Sequence, residues 1–301
     1  MMGDIAFHGD PAIKAMAQER LHRHVAAGSF VYFPAWEDGE ANVIGAVVEA
    51  DDTPLYAETL GYPIALAETL PKFVNDGFRQ RDDAAAFAEA WLARTPVGAD
   101  LSRIVSQLVL DLLDDAGLAA ITSRHPELER CRRGIMDLHR RAIDGETLDR
   151  KAWKTLRLAA VAATDGIGDA PVDRQAGNVV EAAAWPGTMR TVLRDTLSGS
   201  GTLHLTLSLA EIGWTTENES RVFHIREQAE KDGYKAEFSG LDRLYAILDA
   251  DHPALATGFR QRLQRMEESS AKCRAVAWHA IELMERAPLV APAPIRANAE
   301  A

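Results

Sequence analysis

The apolar residues between positions 101 and 113 recur at intervals of three and four residues, which places them on one stripe of an α-helix. Asp100 is expected to cap the N-terminus of this helix, and Gly117 is expected to cap its C-terminus. A second helical pattern precedes it and ends before Pro96, because the residue before a proline is pushed out of the helical region. We therefore expect the fold to be organised around a helix pair between residues 82 and 117.

Helical periodicity with suitable start and stop residues also marks five other stretches: 11–27, 126–145, 147–163, 216–233 and 253–286. In the last of them, Phe259, Leu263 and Met266 follow the steps of four and three that are typical of a helix packed along a neighbour. We expect this helix to lie lengthwise on the body of its own chain, with these three side chains supplying most of the buried area.

Other stretches have the features of β-strands and linkers. Two β-prone runs, residues 30–33 and 43–48, flank an Asp-Gly pair and predict a hairpin. Residues 202–209 alternate leucine with polar residues, which is the pattern of a half-buried strand. Glycine-rich stretches at 166–175 and 198–201 are predicted to be linkers.

These patterns together predict a mainly α protein of the α+β type. Its body is expected to contain many helices, with a small antiparallel β element near the N-terminus that strand 202–209 could join. We expect an α+β region over 1–118 with the hairpin and the helix pair. A helical region over 119–288 with one strand is expected to pack on it, and a proline-rich disordered tail to follow over 289–301.

Three short motifs carry a resemblance to a known family: Trp36-Glu37-Asp38-Gly39, Leu60-Gly61-Tyr62-Pro63 and Thr95-Pro96-Val97-Gly98-Ala99-Asp100-Leu101. Over about residues 1–115 the chain resembles a family of hypothetical proteins encoded in bacteriophage and prophage genomes, and residues 275–288 resemble that family's closing helix. The resemblance implies a phage or prophage origin and no particular activity. Relatives often carry Cys-x-x-x-Cys where this chain has Asn42 and Ala46, so it implies no redox or metal role here.

Charge and composition narrow the classes of function. The formal net charge of −12 disfavours nonspecific binding to nucleic acid or to anionic lipid. Without a run of about 18 apolar residues, no membrane span is expected. The N-terminus has no secretory signal pattern, so we expect a cytoplasmic protein. Cys131 and Cys273 lie far apart on helical patterns and are expected to be reduced, packed thiols.

The sequence predicts no catalytic residue, no set of metal ligands and no cofactor. We weighed several histidines with nearby acidic or histidine partners: His22 and His24 with Glu19, His204 with His224, and His279 with Glu282. A metal site needs three or four converging ligands, and none of these sets supplies them in sequence. Ordinary hydrogen-bonded histidines explain each set better.

Basic residues are concentrated in the stretch 127–157, and a possible interaction surface is defined by six of them: Arg132, Arg133, Arg140, Arg141, Lys151 and Lys154. Acidic residues are interleaved with these cations, which is also typical of a solvated helix face laced with ion pairs. Both interpretations remain open from the sequence, and the solvated face is the more common one.

Two functional hypotheses follow. The favoured one is a non-catalytic binding or regulatory protein that acts on a protein partner through its surface, as a monomer or a weak homodimer, without nucleic acid or membrane. The alternative is an enzyme, hydrolytic in type, that uses the polar side of residues 202–208 and a histidine such as His22 or His204. A deep pocket with three or more convergent titratable groups would favour the enzyme.

Overall fold

The computed structural model of the chain describes residues 4–168, 170–238 and 240–290. Within these residues 72% of the chain is helical, in 14 helices, and a two-stranded antiparallel sheet lies near the N-terminus. The predicted mainly α fold class is therefore confirmed.

The first seven helices are α1 (Pro11–Ala26), α2 (Gly45–Val48), α3 (Thr53–Leu60), α4 (Ile64–Gly77), α5 (Arg81–Arg94), α6 (Ile104–Leu113) and α7 (Ala116–Thr122). The other seven are α8 (Pro126–Ile143), α9 (Arg150–Asp165), α10 (Pro171–Ala182), α11 (Val192–Glu211), α12 (Thr216–Asp232), α13 (Gly240–Asp251) and α14 (Pro253–Glu285). The strands are β1 (Trp36–Glu37) and β2 (Glu40–Ala41).

A hairpin forms around the predicted Asp-Gly turn, but its strands are not the two predicted runs. Residues 30–33 do not form a strand, and Phe30 makes only an isolated bridge to Ala41. Strands β1 and β2 pair across Asp38-Gly39, where both residues have positive φ. The second predicted strand, 43–48, is wrong, because residues 45–48 form the buried helix α2. The side chain of Asn42 accepts hydrogen bonds from the amides of Ile44 and Gly45, and so supports the start of this helical turn instead of a strand.

The helix predicted between Asp100 and Gly117 is divided in two. Helix α6 begins at Ile104 and ends at Leu113, and Asp115 then caps α7 by accepting a hydrogen bond from the Leu118 amide at 2.9 Å. Asp100 bonds the Ser102 amide and starts a turn, not the helix, while Gly117 lies inside α7. The apolar stripe of α6 is buried as predicted.

The predicted strand 202–209 and the predicted linker 198–201 are both wrong, because all of these residues belong to α11. Leu203 and Leu207 lie one turn apart and pack against the core. Leu205 and Leu209 form a second stripe one turn apart, offset by two positions, on the wall of a cleft. Two such stripes place a leucine at every second position of a helix, which is also the pattern of a β-strand. The spacing of apolar residues alone therefore could not distinguish a helix from a strand here.

The motif at 95–101 joins both ends of the described chain. The Leu101 amide donates to the carbonyl of Asp4, and the Asp100 amide donates to that of Pro288, each at 2.8 Å. The Val290 amide donates to the Gly98 carbonyl, and Gly98 has a φ of +81° that suits glycine. Of the predicted tail, residues 289–290 thus continue this backbone pairing, and 291–301 lie outside the described residues.

Buried apolar side chains form a large core and a small one. The large core takes side chains from residues on both sides of position 118, and the predicted domain division remains a prediction. The small core is built from α12, α13 and the start of α14, with six buried members: Val222, Leu244, Leu248, Leu255, Ala256 and Phe259.

Helix α14 begins and ends where the sequence predicted, and it lies along the body of the chain. Its contribution to the large core comes from Ala277, Ala280, Ile281 and Met284. The expectation that Phe259, Leu263 and Met266 would supply most of its burial is wrong. Phe259 belongs to the small core, and Leu263 packs against that core but is only half-buried. Met266 is also half-buried, because it lines a cleft between α11 and α14.

Candidate functional site

Five of the six basic residues predicted to form an interaction surface lie on the exposed sides of α8 and α9. Arg133 Nε lies 2.5 Å from Glu129 Oε1, and Arg141 pairs with both Asp137 and Glu146. The other three exposed cations, Arg140, Lys151 and Lys154, have no carboxylate within ion-pair distance among the residues that the structure describes. The face is thus partly neutralised by its own acids.

Arg132 does not lie on this surface. It is buried, its guanidinium bonds Glu129 through Nε and Nη2, and Nη1 donates to the carbonyl of Leu113 at 2.8 Å. The hydrogen bond from Arg132 lowers the pKa of Glu129 to about 2, against the opposing effect of burial. Arg132 therefore connects α8 to the C-terminal end of α6. The prediction that Arg132 belongs to the interaction surface is thus corrected.

The predicted histidines do not form one site. His22 lies on the exposed side of α1 and contacts Glu89 at 3.0 Å, and His224 lies 3.8 Å from Glu227 on α12. His204 and His279, in contrast, line the same cleft, to which α4, α6, α11 and α14 all contribute. This cleft brings together titratable groups that are far apart in the sequence.

The cleft between α11 and α14, called here the α11–α14 cleft, has a volume of about 890 Å³. Apolar side chains from three helices line it: Leu108 and Leu112 on α6, Leu197, Leu205 and Leu209 on α11, and Met266 and Val276 on α14. Charged and imidazole groups line it as well: Lys72, Asp76, Arg79, Asp111, Asp115, His204, Lys272 and His279. An apolar concavity with a few convergent polar groups is the usual form of a ligand site.

Small residues line the part of the cleft where α11 and α14 face each other. Helix α11 carries Ser198, Ser200 and Gly201 on this side, and α14 faces them with Ser269 and Ser270. A Cβ added to Gly201 would meet nothing within 4 Å, so the space beside it is unfilled. The Ser-Gly-Ser-Gly run that was predicted to be a linker thus has a different structural consequence: its small side chains leave space unfilled between two helices that contact each other.

His204 is held between two charged side chains. Lys272 Nζ lies 2.9 Å from Nδ1 of His204, and Asp115 Oδ2 lies 3.3 Å from its Nε2. An ammonium group can only donate, so Nδ1 accepts and the imidazole proton is on Nε2, facing Asp115. The hydrogen bond from His204 lowers the pKa of Asp115 to about 2, and burial opposes this shift.

A second histidine–aspartate pair is formed by His279. Its Nε2 lies 3.1 Å from Asp111 Oδ2, and the other carboxylate oxygen of Asp111 accepts from Gln107 at 2.8 Å. Glu282 Oε2 lies 3.7 Å from Nδ1 of the same ring. Each aspartate on the α6–α7 side is therefore paired with a histidine from a different helix across the cleft.

Two of the three cleft cations are matched with carboxylates. Lys72 pairs with Asp76 at 2.5 Å, and Arg79 pairs with Glu267 at 2.7 Å. The thiol of Cys273 also lines the cleft, and burial raises its pKa to about 12, so it is a protonated thiol at neutral pH. In the described ranges, no cluster of three or more His, Cys, Asp or Glu residues is arranged to hold a metal ion.

The sequence reasoning missed the cleft as a site, although it named His204 and His279 individually. Their aspartate partners lie 89 and 168 positions away (204 − 115 and 279 − 111), and no spacing rule connects residues at such separations. The small-residue run on α11 was the one local signal, and it was interpreted as a linker.

No protein family model, curated protein or solved structure matches this chain. Within the described residues, none of the helices has the length and apolar character needed to cross a membrane.

Proposed function

We propose that this protein is a non-catalytic binding protein that holds a small amphipathic molecule in the α11–α14 cleft. The observation that carries the proposal is the combination of an apolar lining, a volume of about 890 Å³ and polar groups that converge from four helices. Ligand sites in proteins typically have volumes of about 300–1,000 Å³ and this mixture of surfaces.

The experiment uses decanol, an uncharged amphipathic probe. Saturable binding of decanol should raise the melting temperature of the parent protein, because a ligand that binds only the folded state stabilises it. Gly201→Phe places an aromatic ring in the empty space of the cleft and should abolish this rise. Gly168→Phe is the matched control, because Gly168 is exposed, lies outside the cleft and also has nothing within 4 Å of an added Cβ.

The proposal would be wrong if Gly201→Phe, with parent-like helical circular dichroism, still responded to decanol as the parent does. It would also be wrong if decanol gave no saturable shift in the parent.

A hydrolytic enzyme is the second candidate, favoured by the two histidine–aspartate pairs in the cleft. Both ring nitrogens of His204 already have partners, and the hydroxyls of Ser198, Thr202 and Thr206 donate to carbonyls of their own helix. A nucleophile needs a base within hydrogen-bond reach, and these groups are engaged elsewhere. Hydrolysis of a p-nitrophenyl ester that is lost in His279→Gln would support the enzyme.

We also propose a phage or prophage origin, which rests on the resemblance of residues 1–115. A protein partner on the exposed cations of α8 and α9 remains a prediction. Three exposed cations that have no carboxylate partner among the described residues support it, and the ion pairs of Arg133 and Arg141 weaken it.

A further inference from the structure

We propose that the ligand of the α11–α14 cleft is an amphipathic anion, whose carboxylate binds Lys272 while its apolar chain lies between α11 and α14. This inference rests on the proposed function and adds the chemical class of the ligand. It follows from the charges around Lys272, from the arrangement of the apolar lining and from the position of His204.

Lys272 differs from the other cations of the cleft in its partners. Lys72 and Arg79 each lie within 2.7 Å of a carboxylate oxygen, whereas Lys272 contacts the imidazole of His204 and no carboxylate within ion-pair distance among the described residues. An ammonium group has three N–H donors, and His204 accepts one of them. The remaining donors can bind an anion from outside the protein.

The acidic groups nearest to Lys272 are already engaged. Asp115 is paired with His204 and accepts from the Leu118 amide, and Glu268 is bonded to Arg265 at 2.8 Å. Glu268 is neutralised by Arg265, whereas Asp115 stays anionic beside the neutral imidazole and lies on the far side of the His204 ring from Lys272. The two remaining N–H donors of Lys272 therefore face no carboxylate within ion-pair distance among the described residues. Charge complementarity favours an anionic head group at this position over a cationic one.

His204 fixes the position of the ammonium group. The ring is only 15% exposed and is held on its other side by Asp115, so it holds Lys272 Nζ at the edge of the cleft. Binding of a ligand then costs less side-chain entropy than it would at a lysine that moves freely. His204 acts here as a positioning residue for Lys272.

The apolar lining extends from this cation in the direction that an alkyl chain could follow. Met266 lies six residues before Lys272 on α14, which corresponds to about 9 Å along the helix axis. Leu205 and Leu209 line the facing side of the cleft on α11. A chain of about this length would cover apolar surface on both helices, and removing that surface from water would favour binding.

The test compares three probes that share one alkyl chain: decanoate, decanol and decylammonium. Calorimetric titration of the full chain at neutral pH should show decanoate binding at least tenfold tighter than the other two. In Lys272→Met the affinity for decanoate should fall about tenfold while that for decanol stays unchanged. A charge-assisted hydrogen bond contributes about 1.5–3 kcal/mol, which corresponds to a factor of ten or more. Lys272→Arg should retain most of the preference for decanoate.

Matched controls separate this inference from the proposed function. Lys151→Met removes an exposed cation outside the cleft and should leave all three affinities unchanged. Equal binding of the three probes, or an unchanged decanoate affinity in Lys272→Met, would overturn the anionic head group and leave the cleft as a binding site. If none of the probes binds the parent, both proposals fail.

Discussion

His139 is a buried histidine that the sequence did not single out. It is completely buried on α8, its Nε2 lies 3.0 Å from the carbonyl oxygen of Ala183, and its Nδ1 has no hydrogen-bond partner in the part of the chain that the structure describes. The ring of Trp153 meets it edge-on at 4.8 Å. Burial lowers the pKa of His139 to about 4, so the folded protein holds it as neutral imidazole.

This pKa predicts a loss of stability in acid. Because the folded-state pKa lies below the unfolded value of 6.5, the unfolded state takes up the proton first as the pH falls. The loss begins near pH 6.5 and reaches about 3 kcal/mol near pH 4. Urea unfolding at pH 7.5 and 5.0 should therefore show a smaller difference for His139→Gln than for the parent. His224→Gln, whose side chain is 74% exposed, is the control and should keep the parent's difference.

Gly199 and Gly201 lie two positions apart on α11, and the space beside their Cα atoms differs: it is occupied at Gly199 and empty at Gly201. A Cβ at Gly201 meets nothing within 4 Å, whereas a Cβ at Gly199 would lie 3.2 Å from Cγ2 of Val179. Gly201→Ala should raise the free energy of unfolding by about 0.5–1 kcal/mol, because alanine has the higher helix propensity. Gly199→Ala should show no such gain, since Val179 would have to move. Equal stabilisation by both would contradict the packing of α11 against α10.

Arg132 and Arg133 show what the sequence could not predict at the scale of single residues. They are adjacent, equally basic and part of one charged stretch. Arg132 is nevertheless buried, whereas the side chain of Arg133 is 74% exposed. The difference arises because Arg132 faces the end of α6, which lies 19 positions earlier in the chain. Residue type and helical period predict a charged side and do not identify which cation faces inward.

Among the elements, α6 and α8 are joined by the hydrogen bond from Arg132 to the Leu113 carbonyl, and Glu129 on α8 pairs with the same guanidinium. Both side chains are largely buried, at 8% and 13% exposure. Arg132→Ala should lower the free energy of unfolding by about 1.5–3 kcal/mol. It removes two hydrogen bonds to the largely buried Glu129, which keeps its bonds from Arg133 and Thr122, and it leaves the Leu113 carbonyl without the Arg132 donor.

Arg133→Ala removes an exposed partner of the same carboxylate and should change the unfolding free energy by less than about 1 kcal/mol. Urea denaturation of both variants provides the measurement. A similar loss for the two would mean that the buried pair has no special role.

Most helices could be predicted from the sequence, because their apolar periodicity and capping residues are local signals. Helix α14 and the division between α8 and α9 at Gly145 follow directly from such signals. Helix α11 could not be recognised, since it buries leucines on two sides and carries glycine and threonine that favour other structures. The contacts of α11 with α10 and α14 decide its structure, and these contacts are distant in the sequence.

At the scale of the whole molecule, the negative charge of −12 predicts that the protein does not bind duplex DNA at physiological salt. A mobility-shift assay at micromolar protein and about 150 mM salt should show no complex. A shift that disappears when Arg140, Lys151 and Lys154 are replaced by glutamine would contradict this prediction. It would identify the exposed cations of α8 and α9 as a nucleic-acid surface.

The candidate site is formed by the whole molecule and not by any one element, which explains why the sequence did not reveal it. Its groups come from α4, α6, α11 and α14, and they meet only when the whole body has assembled. No single stretch carries a spacing typical of a ligand site. The small residues of α11 and α14 leave unfilled space between two helices that contact each other, and the sequence alone does not show which helices will meet.

Helix α14 passes from the small core to the large one, with the cleft between them. Its first part is anchored by Leu255 and Phe259 in the small core, and its last part by Ile281 and Met284 in the large core. The amide hydrogens of this one continuous helix should therefore show two different levels of protection against hydrogen exchange. Amide hydrogens near 258–262 should exchange with deuterium through local opening, while those near 278–284 should exchange only on global unfolding. Uniform protection along α14, measured by mass spectrometry, would show that both cores open together as one cooperative unit.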